Sequence, residues 1–174
     1  MKLLNLQKHP YQRKQKMKNN CIFCLIAKGE IPSHQIWSDE KHLAFLSIFP
    51  NTEGFTVVAP KEHYGSYAFE QNDNVLKDLI IATKKTAKIL DNYFEDVSRT
   101  GMFFEGFGVD HLHAKLFPMH GTGNLSEWKP IESKKNTTYF EQYPGFLSSN
   151  DSSPADNEKL AKLAEAIRQS ELHN

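Results

Sequence analysis

Residues 108 to 121 read GVDHLHAKLFPMHG, and the alternation at their centre decides how the chain is interpreted. Basic side chains alternate there with apolar ones. The basic set is His111, His113 and Lys115, and the apolar set is Leu112, Ala114 and Leu116. Because side chains two apart on a strand share a face, we predict a strand over residues 111–117 that Pro118 closes. The basic set then lies on one face and the apolar set faces the core.

The basic face predicts chemistry rather than packing alone. Imidazole near neutral pH acts as a nucleophile, a general base or a metal ligand, and a row of cations binds phosphate. A single strand histidine is most often a hydrogen-bonded structural residue. Two histidines and a lysine on one face, directly after the glycines of the EGFG turn at residues 105–108, favour a functional site.

Working outward, three short segments before this strand have strand-like composition, namely HQIWSD, HLAFLSIFP and GFTVVAPKEH. Residues 72–95 then change to a helical period. The apolar positions of this helix are Leu76, Leu79, Ile80, Thr83, Ala87, Leu90 and Phe94. RTGMFFEG predicts a further strand. The order indicates an α+β fold in which an antiparallel sheet of about five strands packs on one long helix.

The rest of the chain is predicted to form extensions. Residues 121–153 are polar and loop-like, with aromatics at Tyr139, Phe140, Tyr143 and Phe146. A last helix is expected near Ser153 and Pro154, an N-cap followed by a proline at the first helical position. We expect a basic arm over residues 1–19, a catalytic domain over 20–130 and a C-terminal extension over 131–174.

Composition limits the function classes. The 174 residues suit a single domain. Lys+Arg and Asp+Glu both number 21, so no overall positive field recruits nucleic acid. No run reaches the roughly 18 apolar residues of a membrane helix. Both cysteines lie in one Cys-x-x-Cys, which argues against a disulfide framework and for a reducing, cytoplasmic compartment.

The arm itself holds six Lys or Arg and no acid in residues 1–20. Its LLNL run is too short for a signal peptide. It is either a flexible basic arm or the product of a start codon placed ahead of Met17. Binding of nucleic acid through the arm is a third class of function, which is disfavoured because Tyr11 is the arm's one aromatic for base stacking.

The Cys-x-x-Cys motif is open to three interpretations: a redox pair, half of a metal site, or chance. A redox pair is typical of a thioredoxin-like βαβ context, which the sequence lacks. A structural zinc site requires two further ligands. His63 and His111 are available, although the sequence alone does not bring them together.

Three blocks together resemble the histidine-triad (HIT) superfamily of nucleotide hydrolases and transferases: CIFCLIAKGEIP, LAFLSIFPNTEGFTVVAPKEHY and HLHAKLFP. The resemblance runs from about Cys21 to His120, with the blocks in order and at similar spacing. It implies a HIT-like fold that is usually a homodimer and takes a small-molecule nucleotide as substrate. Neither a membrane nor a nucleic-acid partner is implied.

The resemblance also implies residue roles. His113 would be the nucleophile that attacks the α-phosphorus and forms a nucleotidyl-histidine. A structural zinc ion would be held by Cys21, Cys24, His63 and His111. The apolar base pocket would consist of Ile22, Phe23, Ile26, Phe45 and Ile48. Gly106 and Gly108 would form the turn whose backbone N–H groups approach the phosphate.

Three positions and the length of one turn depart from the superfamily pattern. Lys115 stands where the third triad histidine is expected, and it supplies charge but accepts no proton while charged. Ser47 replaces an acid that would bind the ribose hydroxyls. Glu105 stands where the superfamily frequently has an asparagine ahead of the glycine turn, and that turn is several residues shorter than usual. His120, just past the triad, is a candidate catalytic residue near the leaving group, with a solvated loop histidine as the alternative.

The sequence therefore predicts an enzyme that cleaves phosphoramidate or phosphoanhydride bonds, such as those of nucleoside phosphoramidates or dinucleoside polyphosphates, through nucleotidyl-His113. The alternative is a zinc-stabilised nucleotide-binding protein that has lost catalysis together with the third histidine and the ribose acid.

Overall fold

The computed structural model describes residues 21–123 and 153–171. The helices are α1 (Ile22–Ala27), α2 (Asp73–Tyr93) and α3 (Asn157–Glu171), and the strands are β1 (His34–Ser38), β2 (His42–Leu46), β3 (Thr56–Pro60), β4 (Thr100–Phe103) and β5 (Ala114–Pro118). A short 3₁₀ turn, Ala68–Glu70, precedes α2. In this part of the chain no helix combines the length and the apolarity needed to cross a bilayer.

The five strands form one antiparallel sheet in the order β1-β2-β3-β5-β4. This confirms the predicted α+β class and the predicted sequence of elements. The strand predicted over residues 111–117 starts later, at Ala114. The β3–β5 ladder ends at the Val58–Ala114 pair because the strand partner further along is Pro60, which has no N–H to donate. Leu112 donates its N–H to the Tyr64 carbonyl instead, at 2.8 Å.

The two faces of the sheet carry different layers. Leu46, Val58, Ala114 and Leu116 pack with α2 and α3 in the main core. Phe45, Val57, Leu43 and Ala59 face the other way and pack against Cys21, Phe23 and Cys24 of the short α1 region. The predicted alternation of faces therefore holds through Leu112, Ala114 and Leu116, although the first of these lies before the strand.

Helix α2 begins after Asn72, whose side chain accepts the Asn74 N–H as an N-cap. Its buried face differs from the predicted one. Ile80 is 40% exposed, while the buried positions are Leu79, Ala82, Thr83, Thr86, Ile89 and Leu90. The two threonines are tolerated there because their hydroxyls donate to the carbonyls of Leu79 and Ala82, so no polar group is left unpaired.

Helix α3 packs into the main core through Leu160, Ala164 and Ile167. The predicted start near Ser153 and Pro154 is wrong, since the helix begins at Asn157. Asp156 is the capping residue, because its carboxylate accepts the N–H groups of Glu158 and Lys159 at 2.8 and 3.1 Å. The basic arm and the aromatic positions Tyr139, Phe140, Tyr143 and Phe146 lie outside the described residues.

Candidate active site and metal centre

Four buried donors converge beneath α1. Cys21 and Cys24 flank the first turn of the helix, His63 follows β3, and His111 precedes β5. Their ligand atoms all lie within 4.8 Å of one another. Cys21 Sγ is 3.4 Å and Cys24 Sγ is 3.5 Å from His111 Nδ1, and Cys24 Sγ is 3.4 Å from His63 Nδ1. The four residues are thus close enough to bind one metal ion.

The donor set fits tetrahedral zinc. With Zn–S and Zn–N bonds of about 2.3 and 2.0–2.1 Å, sulfur and nitrogen ligands sit about 3.6 Å apart, close to the distances found here. His111 Nε2–H donates to the Pro60 carbonyl at 2.8 Å, which leaves Nδ1 as the nitrogen that faces the thiols. Burial lowers the pKa of His111 to about 4, and burial together with the Cys21 sulfur raises the pKa of Cys24 to about 11. A cation would favour the thiolate form.

His113 is oriented by the backbone of His111. Its Nδ1 lies 2.6 Å from the His111 carbonyl oxygen, which can only accept, so Nδ1 carries the proton. Nε2 is therefore the nitrogen with the free lone pair. Burial lowers the pKa of His113 and the charge of Lys115 lowers it further, so the neutral ring dominates at pH 7. The Phe23 ring meets the imidazole edge-on at 5.2 Å between centroids, which fixes its plane.

A cleft of about 660 Å³ opens beside His113, on the α1 side of the sheet. Most of the predicted substrate residues line it, namely Ile22, Phe23, Ile26, Phe45, Ser47, Ile48 and Gly108. Its volume falls in the range that small-molecule sites occupy, and its walls are mainly apolar with a few polar groups, as is typical of such sites. Phe45, Val57 and Lys115 stand in one register row across β2, β3 and β5, so the row leads from the apolar wall to the basic end.

Lys115 is buried at that end and is paired with Glu105. The Lys115 Nζ contacts Glu105 Oε1, and the two side chains are only 4% and 6% exposed. The β4–β5 ladder brings them together, since Phe103 is paired with Lys115 and Glu105 lies two residues further on. The ammonium predicted to serve a phosphate thus already has a carboxylate partner.

Comparison with known proteins identifies the family to which this chain belongs. Residues 28–122, more than half of the chain, match the HIT domain. The chain belongs to the HIT domain family. An uncharacterized HIT-like protein of Methanocaldococcus jannaschii is 36% identical over 118 residues, covering 65% of this chain and 90% of that protein. An adenosine 5'-monophosphoramidase of Saccharomyces cerevisiae is 37% identical over 117 residues, covering 65% and 72%. A crystal structure of a HIT-like protein from Bartonella henselae matches with a TM-score of 0.60 at 25% identity, covering 90% of this chain and 99% of that one.

In this HIT protein Ser47 lines the cleft, but its oxygen is engaged. Ser47 Oγ accepts the Phe49 N–H at 3.1 Å, within the loop that leaves β2. The hydroxyl can still donate, yet ribose hydroxyls also need an acceptor, and a neutral oxygen that is already bonded is a weak one.

Sequence reasoning missed several lining residues, among them the hydrogen-bonded pair His34 and Asn157. His34, at the start of β1, donates through Nε2 to Asn157 Oδ1 at 3.0 Å, and both side chains line the cleft. Ala155 N–H donates to the Ile48 carbonyl at 2.8 Å, which ties the start of α3 to the loop after β2. Positions 34 and 157 are too far apart in the chain for any local pattern to couple them. The matched domain ends at residue 122, before α3.

Two predicted residues lie elsewhere. Gly106, with φ near +71°, packs against the backbone of Ser66 and is absent from the lining, whereas its neighbour Phe107 contributes to it. His120 also lies away from the cleft. Its Nδ1 bonds to Asp96 at 3.0 Å and its Nε2 faces the Glu53 carbonyl at 3.1 Å, so the loop that follows β5 carries it past the end of the site.

Proposed function

We propose that this HIT protein is a nucleotide hydrolase or nucleotidyl transferase that works through a covalent nucleotide on His113 Nε2. The observation that carries the proposal is the hydrogen bond from His113 Nδ1–H to the His111 carbonyl. Because that bond fixes the tautomer, the lone pair on Nε2 is available for attack while His113 lines an apolar cleft of nucleotide size.

The substrate class we infer is a nucleoside phosphoramidate, with phosphoanhydrides as the wider class. The similarity to the adenosine 5'-monophosphoramidase of Saccharomyces cerevisiae supports it. In the proposed reaction Nε2 forms a bond to the α-phosphorus while the phosphorus–nitrogen bond breaks, and the departing amine takes a proton from solvent. Water, or another acceptor, then releases the nucleotide and frees His113.

Cys21, Cys24, His63 and His111 would hold a structural zinc ion in this proposal, whose chemical contribution is to bind the thiolates and fix His111. The spacing of the donors supports it. Since the His111 carbonyl accepts the His113 proton, the same ligand set would also position the nucleophile. The arm at residues 1–19, the extension at 131–174, a homodimer and a cytoplasmic location belong to the proposal as well.

Within the cleft we assign the base to the apolar wall of Ile22, Phe23, Ile26, Phe45 and Ile48, and the phosphate to the end formed by His113, Lys115 and Gly108. Lys115 would take the place of a third histidine. His120 and Gly106 have no part in the proposed chemistry, because neither lines the cleft.

Labelling tests the nucleophile directly. Wild-type protein mixed with adenosine 5'-phosphoramidate and quenched in base should carry an adenylyl group, seen as added mass on the peptide that contains His113. His113→Ala should carry none. His120→Ala is the matched control, a histidine on the same chain that lies outside the cleft, and it should label like the wild type. An adduct that persists in His113→Ala would overturn the assignment.

One observation favours a second function, nucleotide binding without turnover. Lys115 is engaged by Glu105, and the Ser47 oxygen is engaged by Phe49, so two groups of the cleft are already satisfied internally. The same experiment separates the two functions. A protein that binds adenosine monophosphate in calorimetry, yet never forms an adduct, is the binding protein.

A further inference from the structure

The pair formed by Lys115 and Glu105 determines the charge of the phosphate end. Among the described residues that line the cleft, Lys115 is the one Lys or Arg, and no Asp or Glu joins it. The Lys115 charge is cancelled at contact distance by Glu105, which is buried just behind the lining. Among the described residues, this pair therefore contributes polar groups but no net formal charge to the phosphate end of the cleft.

Glu105 also keeps an unused acceptor. Its Oε1 contacts the lysine, whereas its buried Oε2 has no hydrogen-bond partner among the described residues. A buried carboxylate oxygen in this state repels any further negative charge that comes near it, and the low local dielectric makes the repulsion stronger than in water. A substrate with additional phosphates brings such charge to this end of the cleft.

We propose that Glu105 is a specificity-determining residue that limits the cleft to a single phosphoryl group with an uncharged leaving group. It acts by holding Lys115 in an ion pair, so that the ammonium is not available to neutralise a second or third phosphate. Specificity then arises from a repulsive element as much as from an attractive one. This inference rests on the proposed function, since it assigns the phosphate to the Lys115 end.

The test compares two substrates across charge-matched variants of the full chain. The ratio of kcat/KM for diadenosine tetraphosphate to kcat/KM for adenosine 5'-phosphoramidate is measured for wild type, Glu105→Gln and Glu105→Asp. Glu105→Gln removes the negative charge with little change of shape and should raise the ratio about tenfold. Glu105→Asp keeps the charge, so its ratio should stay close to that of the wild type even if both rates fall.

A purely structural role for Glu105 would lower both rates together and leave the ratio unchanged in Glu105→Gln, which would overturn the proposal. A ratio that rises equally in Glu105→Asp would also overturn it, because charge would not be the cause. The KM for the tetraphosphate should additionally become more salt-dependent in Glu105→Gln, since a released ammonium then faces a polyanion.

Binding measurements keep the test independent of turnover. Calorimetry with adenosine monophosphate and adenosine triphosphate gives a ratio of affinities that replaces the ratio of kcat/KM values. If the wild type proved inactive, the proposed reaction would be wrong, but this ratio could still be measured. If Glu105→Gln does not fold, the double variant Lys115→Met/Glu105→Gln replaces it. That variant removes the repelling carboxylate together with the ammonium, so its ratio of triphosphate affinity to monophosphate affinity should rise above that of the wild type by less than tenfold. A double variant whose ratio equals that of the wild type would count against the proposal.

Discussion

The two ends of the segment from His111 to Lys115 differ in the charge of the side chains that surround them. At the His111 end, two thiols and two imidazoles converge in a buried cluster, and this set carries no formal charge when all four groups are in their neutral forms. At the Lys115 end, two opposite formal charges already cancel. The first cluster is close enough to bind an added cation, whereas the second, in our proposal, resists an added negative charge. Two positions of one alternation, only the second of which lies in the strand, can therefore have opposite electrostatic roles.

The largest expected effect comes from breaking the His111 end. Cys24→Ser should reduce the bound zinc from about one ion per chain to near zero, and should lower the free energy of unfolding by on the order of 4 kcal/mol or more, because binding of a structural metal is part of folding. Elemental analysis and chemical denaturation measure the two quantities. His120→Asn, a histidine change outside the cluster, should leave the bound zinc unchanged and should lower the free energy of unfolding far less. A protein that is folded and equally stable after chelation would contradict the zinc assignment.

Breaking the Lys115 end should cost nearly as much, for a different reason. Lys115→Met leaves the Glu105 carboxylate buried without a counter-charge, so we expect a loss of about 3–5 kcal/mol in urea denaturation. Adding Glu105→Gln removes the stranded charge and should recover most of that loss. If the single and double variants are equally unstable, packing rather than charge dominates, and the contrast between the two ends disappears.

A smaller effect is expected where a new charge enters the cleft away from the pair. Ser47→Asp provides one oxygen for the Phe49 N–H and a second for ribose, so binding of adenosine monophosphate should tighten about five- to tenfold relative to its 2′,3′-dideoxy analogue. Calorimetry measures the ratio. Ser47→Asn adds an acceptor without charge and should give a lesser gain. An unchanged ratio in both variants would mean that Ser47 does not face the sugar.

The smallest effect is expected at His120, which lies outside both ends. Burial opposes its charged form, but the Glu53 carbonyl and the Asp96 carboxylate outweigh burial and raise the pKa of His120 above 6.5. A raised folded pKa adds stability that is complete below the unfolded pKa and is lost as the pH rises through the folded value. The stability difference between wild type and His120→Gln should thus be larger at pH 5.5 than at pH 8.5. A difference that grows with pH would contradict this pairing.

The sequence predicted the fold, and its resemblance to the HIT superfamily predicted the four-donor cluster, better than either predicted the pairing at the basic end. Alternation and helical period indicate faces, and they placed the apolar set Leu112, Ala114 and Leu116 and three of the six buried positions of α2, namely Leu79, Thr83 and Leu90. They do not indicate which residue lies across a neighbouring strand. Glu105 was seen only as a departure from a pattern, because its pairing with Lys115 depends on the β4–β5 register.

Local signals also misplaced some boundaries. Ser153 followed by Pro154 is a strong helix start, yet Asp156 caps the helix, since a carboxylate that accepts two N–H groups outweighs the preference for proline at the first position. Ile80 fits the apolar spacing of α2 but lies at the margin of the buried face. The partnership of His34 with Asn157 joins two ends of the chain and has no local signature.

Because His34 bonds to Asn157, one wall of the cleft is complete only when helix α3 is packed against the sheet. The helix is fixed to the sheet by Leu160, Ala164 and Ile167, and its start is fixed to the cleft by Ala155 and Asn157. Docking of the helix and filling of the cleft are then linked equilibria, and linkage is reciprocal. A ligand that contacts this wall stabilises the docked helix by the same free energy with which the docked helix strengthens ligand binding. Fraying of this C-terminal helix would in this way weaken a site whose other lining residues all lie between Ile22 and Lys115.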